Sequence, residues 1–325
     1  MSATPGLPAQ APVTPVAPEA PGAPAVVSPP SWARPAVSFA KRHVWWVAGA
    51  AWAVASVVVY GLAGAHLNPY LSLTGLLIGF LVGLTGMGGG ALMTPILVFF
   101  FGFKPTLAVG TDVTYGAITK TFGAWRHWRL GSVDLPLVLY LALGSVPSTL
   151  VGVGLVHYLQ TNYGAQLDSI LYRAIGVALV IVGVTLVARS VVKVDASHRR
   201  ENIALSTRRK VFTVMLGAAT GFVVGLTSVG SGTFLGMFLL TAYPLATSRV
   251  VGTDVFQAAI LLYATAIAQA SIGNVNLWMV AALLVGSIPG IIAGSHLTIR
   301  TPTRALRLCL AAVLLVSGFV MYGKA

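Results

Sequence analysis

The feature that most narrows what this chain can fold into is a duplication. Residues 79–90 read GFLVGLTGMGGG and residues 221–232 read GFVVGLTSVGSG, matching at eight of twelve positions across an offset of 142 residues. The same offset, without a gap, lays Val109-Gly110-Thr111-Asp112-Val113 on Val251-Gly252-Thr253-Asp254-Val255 and Gly144-Ser145-Val146-Pro147 on Gly286-Ser287-Ile288-Pro289. Such a chain folds as two copies of one unit. Apolar segments interrupted by glycine at matching places in both copies point to a transport site between the copies.

The surroundings of the repeats are apolar. Of 325 residues, 56% are hydrophobic and only 8% are charged, where a soluble domain carries about 25% charged residues. Runs such as Val44–Ala65 and Leu135–Tyr158 exceed the ~20 residues that cross a bilayer as a helix. Strand-like alternation is absent, which argues against an outer-membrane barrel. The expected class is an all-α polytopic membrane protein. The net charge of +13 does not indicate a nucleic-acid partner, because the basic residues fall in short loops between spans. A single cysteine, Cys309, excludes an internal disulfide or a cysteine-rich metal site. No metal or other cofactor is expected.

Taken in order, residues 1–40 hold ten prolines and read as a disordered cytoplasmic tail. Residues 41–70 supply an extra helix, with Trp45 and Trp46 suited to the membrane interface. Repeat 1 covers 71–192, a basic cytoplasmic linker 193–210, and repeat 2 covers 211–322. Each repeat holds a Gly-broken element (Leu71–Gly102; Val211–Ala242) and three spanning helices. These begin near Pro105, Leu135 and Ser169 in the first copy, and near Thr247, Leu277 and Thr303 in the second.

Loop charge predicts the topology. The loop with Arg126, His127 and Arg129 reads cytoplasmic, whereas its counterpart 269–276 is uncharged and reads external. The loop 159–168 lacks Lys and Arg, whereas its counterpart region carries Arg300, Arg304 and Arg307. Equivalent loops on opposite sides make the repeats inverted. Each Gly-broken element has ~32 residues, about 48 Å as helix, too short for two crossings of about 30 Å and a turn. The reading is seven full spans plus two re-entrant hairpins of half-helices whose tips meet near the midplane. Arg173 and Lys104 run against this scheme.

The tips are Thr85, Gly86, Gly88, Gly89 and Gly90 in the first copy, and Thr227, Gly230, Ser231 and Gly232 in the second. Glycines there let the backbone turn and leave amides uncovered where a helix N-terminus begins, the makings of an anion site. Close helix packing is the competing use of glycine in a membrane. Thr111-Asp112 and Thr253-Asp254 lie about two turns into their helices, where a carboxylate costs about 2.5–3.5 kcal/mol. An acid favoured by a nearby helix start is the structural alternative. Acids beside an anion site bind it better when protonated, which implies proton coupling. Lys120 either pairs with an Asp, attracts the anion, or reaches toward the Arg126 face. Asp134 and Asn276 read as helix caps, and Pro147 and Pro289 as kinks. His66, His157 and His296 show no metal spacing.

With GLTGMGGGALMTPIL, KPTLAVGTD, RHWRLGSVD and the second copies at Gly225 and Val251, the chain resembles the TauE/SafE family of sulfite exporters and sulfonate permeases from Leu71 to Tyr322. The resemblance implies bacterial inner-membrane transport of sulfite, sulfonates or sulfoacetate, with a substrate site near the Gly-rich turns. The family often has Gly-Thr-Ser where this chain has Gly-Thr-Asp in both halves. The leading expectation is thus a secondary transporter of small anions working by alternating access, with protons and the lipid bilayer as its other partners. The competing expectations are a cation or metal-ion transporter using Asp112 and Asp254, and a membrane-embedded enzyme.

Overall fold

The computed structural model describes residues 52–54, 56–61, 69–85, 90–191, 206–230, 232–297 and 303–324. The expectations for the 1–40 tail, for Trp45, Trp46 and His66, for Gly86, Gly88, Gly89 and Ser231, and for linker residues 193–205 fall outside these residues. In the first repeat the helices are α1 (Pro69–Thr85), α2 (Gly90–Phe99), α3 (Pro105–Arg129), α4 (Leu135–Tyr163) and α5 (Ala165–Val191). In the second they are α6 (Thr207–Thr227), α7 (Thr233–Ala242), α8 (Thr247–Ser271), α9 (Leu277–Leu297) and α10 (Thr303–Gly323). Each copy has the same succession, a long helix, a ten-residue helix and three further long helices.

Local chemistry sets the ends. Pro105 opens α3, where a missing N–H is harmless because the first turn leaves its amides unpaired. The Leu137 N–H donates to Asp134 Oδ1 at 3.1 Å, and those of Trp278 and Met279 donate to Asn276 Oδ1 at 3.1 and 3.2 Å. Both residues therefore cap helices, as their sequence context indicates. Ser228 closes α6 in the left-handed region at φ 63°, donating its N–H to the Val224 carbonyl at 2.8 Å.

The helices pair across the two copies. α1 packs on α9 and α4 on α6, while α3 packs on its own counterpart α8 and α5 on α10. Glycines make the first two pairs close. Gly75, Gly79 and Gly83 abut the backbones of Leu283, Ser287 and Ile291, and Gly217, Gly221 and Gly225 abut those of Leu141, Ser145 and Thr149. Numbers rise together in both pairs, so these helices run parallel. In α3 and α8 they run oppositely, with Gly110 on Asn274, Gly116 on Leu262 and Gly123 on Val255. In α5 and α10, Gly176 meets Tyr322 and Gly183 meets Ala311, again antiparallel. Each of these helix pairings thus has a counterpart with the copies exchanged.

Pro289 lies inside α9 and has no N–H to give the carbonyl four residues back, that of Val285. The Trp52 indole N–H donates to that carbonyl at 2.6 Å, so the short helical stretch before α1 is tied to the proline site. The Ser72 hydroxyl donates to the neighbouring Ala282 carbonyl at 2.7 Å.

Six described helices are long and apolar enough to cross a membrane: α4, α5, α6, α8, α9 and α10. The tally differs from the seven expected spans in three ways, the first being that the N-terminal span lies only partly within the described residues. α3 has 25 residues but is too polar to count, because its inward side carries Asp112, Lys120 and threonines. α6 counts because it is not a half-helix: it has 21 residues against ten in α7, and α1 has 17 against ten in α2. The hairpins have a long arm and a short arm rather than two halves. The long arms are drawn out by their glycine seams, which hold them against α9 and α4 for most of their length.

Candidate functional site

The carboxylates sit in the contact between the copies, on α3 and α8. Asp112 is 1% exposed and Asp254 7% exposed, so both have left solvent. The antiparallel register places them at different depths. Val255 faces Gly123, so Asp254 is level with a point eleven or twelve residues after Asp112, about 17 Å along the α3 axis. Lys120 lies between these levels and interacts electrostatically with both acids. The two acids thus stand at two levels with Lys120 between them, and the tip of the first hairpin, with Gly86, Gly88 and Gly89, lies outside the described residues.

Each acid has its own surroundings. Asp112 Oδ2 accepts from the Thr94 hydroxyl of α2 at 2.6 Å and from the Ser228 hydroxyl at 2.8 Å. The tip of the second hairpin therefore reaches the acid of the first repeat. Asp254 lies in the field of Lys120 and of Arg189, near the end of α5. One oxygen of each acid, Oδ1, is buried without a hydrogen-bond partner.

Around them runs a polar belt. The Gln257 amide donates to Ser145 Oγ at 2.7 Å, and Thr149 and Thr265 share a hydrogen bond of 2.8 Å. In the place equivalent to Gln257 and Ser145, Tyr115 faces Ser287, and both of those hydroxyls lack a well-formed partner. Thr111 Oγ1 and Gln257 Oε1 are likewise buried and unpartnered. Buried polar atoms are nearly always paired, so their gathering along one interface makes it the candidate site.

The other sequence candidates are placed as follows. The Thr253 hydroxyl accepts from the Asp134 N–H at 3.0 Å, tying α8 to the start of α4. The Thr85 and Thr227 hydroxyls donate back to Leu81 and Val223 of their own helices, at 2.8 and 2.7 Å. Gly230 adopts φ 104°, which only glycine takes readily. The Val229 N–H bonds to Thr227 Oγ1 at 3.2 Å, and the Gly232 N–H to the Gly230 carbonyl at 2.7 Å. Several amides of this tip are therefore engaged within the turn. Gly90 begins α2. Thr94, Tyr115, Arg189, Ser228 and Gln257 were not picked out from sequence. Ser228 had a signal: it stands where the first copy has Gly86, inside the duplicated motif.

Paired apolar helices from two repeats, enclosing carboxylates, a lysine and unpartnered hydroxyls at their junction, make a multi-pass membrane transporter. The chain belongs to the TauE/SafE family: its residues 71–321 match the model of that family, described as sulfite exporter TauE/SafE. It is 39% identical over 246 residues to the probable membrane transporter protein YjnA of Bacillus subtilis, covering 76% of this chain and 96% of that one. It is 25% identical to the probable membrane transporter protein MJ0441 of Methanocaldococcus jannaschii, covering 78% of this chain and 95% of the relative. No solved structure matches the chain.

Proposed function

We propose that this protein carries small oxyanions, with sulfite, sulfonates and sulfoacetate as the leading substrates, across the bacterial inner membrane by alternating access between inverted repeats. Protons are the coupling ion. The observation that carries the reading is the burial of Asp112 and Asp254 on two antiparallel, symmetry-equivalent helices. When both helices cross the bilayer, antiparallel equivalents mean opposite orientation, the arrangement that lets one repeat rock against the other. A carboxylate in that setting is retained where it moves charge or protons. Bound anion and bound proton then favour each other, because neutralising an acid removes a repulsion.

Orientation is supported by charge. Arg126, Arg129, Arg189, Lys210 and Arg249 lie toward one end of the bundle, where α3 and α5 finish and α6 and α8 begin. Toward the other end are Lys104, Arg173 and Lys324, with Lys324 Nζ 5.2 Å from the centre of the Phe99 ring. The richer end is assigned to the cytoplasm, and the N-terminus with it.

Uptake into liposomes tests the reading. The reconstituted chain is expected to take up sulfite, methanesulfonate or sulfoacetate at least tenfold faster than empty vesicles. Uptake of a divalent metal with no oxyanion uptake would replace this reading with the cation one.

A further inference from the structure

The two hairpins differ at the base of their arms. In the second, Tyr243 follows the short arm α7, is buried, and shares a hydrogen bond with the Thr213 hydroxyl near the start of α6. The arms are tied together there. One repeat offset back, the same places hold Phe101 and Leu71, which cannot make that bond. The Phe101 ring stacks instead on Phe103, with centroids 5.9 Å apart. Between the arms of the first hairpin lies a cavity of about 630 Å³, within the range of about 300–1,000 Å³ that ligand sites occupy. Its walls are Tyr70, Leu73, Leu77 and Leu81 of α1 and Ile96, Phe100 and Phe101 on the side of α2.

The cavity is a groove along the surface, since Leu73, Leu77 and Phe100 are exposed. From Tyr70 to Leu81 α1 rises about 16 Å, half of a hydrocarbon core of about 30 Å. The groove is therefore one leaflet deep. α1 begins and α2 ends at the end of the bundle where Lys104 and Lys324 lie. Lys104 directly follows Phe103, whose ring stacks on that of Phe101, and Lys324 Nζ stands 5.2 Å from the centre of the Phe99 ring, next in the chain to Phe100. Both lysines are exposed. An apolar slot of this depth with cations at its mouth is complementary to an anionic lipid, tail in the slot and phosphate at the lysines. The helical stretch before α1 is placed elsewhere at Tyr60, whose hydroxyl bonds to that of Ser72 on the side of α1 that faces α9.

We propose that this groove binds one acyl chain of an anionic glycerophospholipid whose phosphate is held by Lys104 and Lys324. With the orientation assigned above, the lipid belongs to the outer leaflet; the site itself does not depend on which substrate is carried. Ile96, in its wall, is two residues beyond Thr94, whose hydroxyl donates to Asp112 Oδ2 at 2.6 Å. The lipid thus braces the short arm that holds this carboxylate. The second hairpin has no such site, because Ala242 stands in place of Phe100 and the Tyr243–Thr213 pair does the bracing.

The test uses the full chain in mild detergent, with phosphatidylglycerol and phosphatidylcholine of matched acyl chains as probes. From an equimolar mixture the unaltered protein should retain at least about threefold more phosphatidylglycerol, since each lysine at a membrane surface favours anionic lipid severalfold. Phosphatidylglycerol should also raise its melting temperature, as a ligand of the folded state does. Lys104→Gln combined with Lys324→Gln should bring the two lipids to equal retention. Leu77→Trp puts a ring into the groove from an exposed position and should lose both the retained lipid and the thermal shift. Leu139→Trp, at an exposed position of α4, should keep both. Equal retention of the two lipids by the unaltered protein, or a Leu77→Trp protein stabilised as the parent is, would overturn the proposal. So would an altered oligomeric state in Leu77→Trp with lipid retention unchanged, which would make the groove a face between copies. A melting temperature that Leu77→Trp shifts and no lipid affects would assign the groove to residues 1–51 and overturn it as well. None of these readouts involves flux, so failure here leaves the transport reading standing.

Discussion

At Asp112 a single carboxylate oxygen joins three elements, since Thr94 comes from α2, Ser228 from the end of α6 and the acid itself from α3. Removing it strands two buried hydroxyls, each of which then costs about 1–3 kcal/mol. Asp112→Ala should therefore lower the melting temperature clearly, and Asp112→Asn, which keeps an oxygen acceptor, should lower it less. Tryptophan fluorescence during thermal unfolding ranks the three proteins; an alanine variant as stable as the parent would refute the anchoring role. The same scale governs the glycine seams. A methyl at Gly221 would overlap the Ser145 carbonyl of the neighbouring helix, and backbone cannot yield as a side-chain end does. Gly221→Ala should cost about 1–3 kcal/mol, the usual range for overpacking, and its loss of folded yield after detergent extraction is the measurement that checks it.

At the scale of elements, Trp52 and Pro289 form a testable unit. Trp52→Phe leaves the Val285 carbonyl without its donor, at about 1 kcal/mol. In a Pro289→Ala background the helix supplies its own N–H to that carbonyl, so the same tryptophan change should cost much less. A double-mutant cycle on the melting curves reads the difference, and purely additive effects would contradict the pairing. Much at this scale was legible in the sequence. Leu277–Leu297 is observed with the bounds its apolar run indicates, and Asp134 and Asn276 cap where polar residues precede Leu-Pro and Leu-Trp. α3 runs on to Arg129, through the basic turn of Arg126, His127 and Arg129 that its sequence reads as a loop. The unequal hairpin arms were not legible: length alone cannot divide 32 residues between two arms, and the division is set by seams with α4 and α9. In the site, Asp112, Asp254 and Lys120 stand out as charges in apolar runs. Arg189 does not, because basic residues are ordinary at span ends and only the packing of α5 brings it to Asp254. The difference in depth was hidden too, since a repeat offset records equivalence and not height.

For the whole molecule, the account requires equivalent loops on opposite faces of the membrane. Leu130 ends the first-copy helix α3 and is exposed, and Ser271 ends its counterpart α8 and is exposed. In a Cys309→Ser background, Leu130→Cys and Ser271→Cys should react with an impermeant maleimide from opposite sides of right-side-out vesicles. Labelling of both from one side would make the repeats parallel and remove the rocking mechanism. Under the proposed mechanism, the two conformations of the transport cycle use corresponding helix pairs with the repeats interchanged. The acids at two depths would then face opposite sides of the membrane in turn, with Lys120 between them. Sulfite flux under an imposed pH gradient tests this most directly. In liposomes containing the unaltered protein, uptake should accelerate when the outside is made more acidic than the inside, and Asp254→Asn should abolish the acceleration. Uptake indifferent to the gradient, or an Asp254→Asn protein that responds as the parent does, would contradict the account.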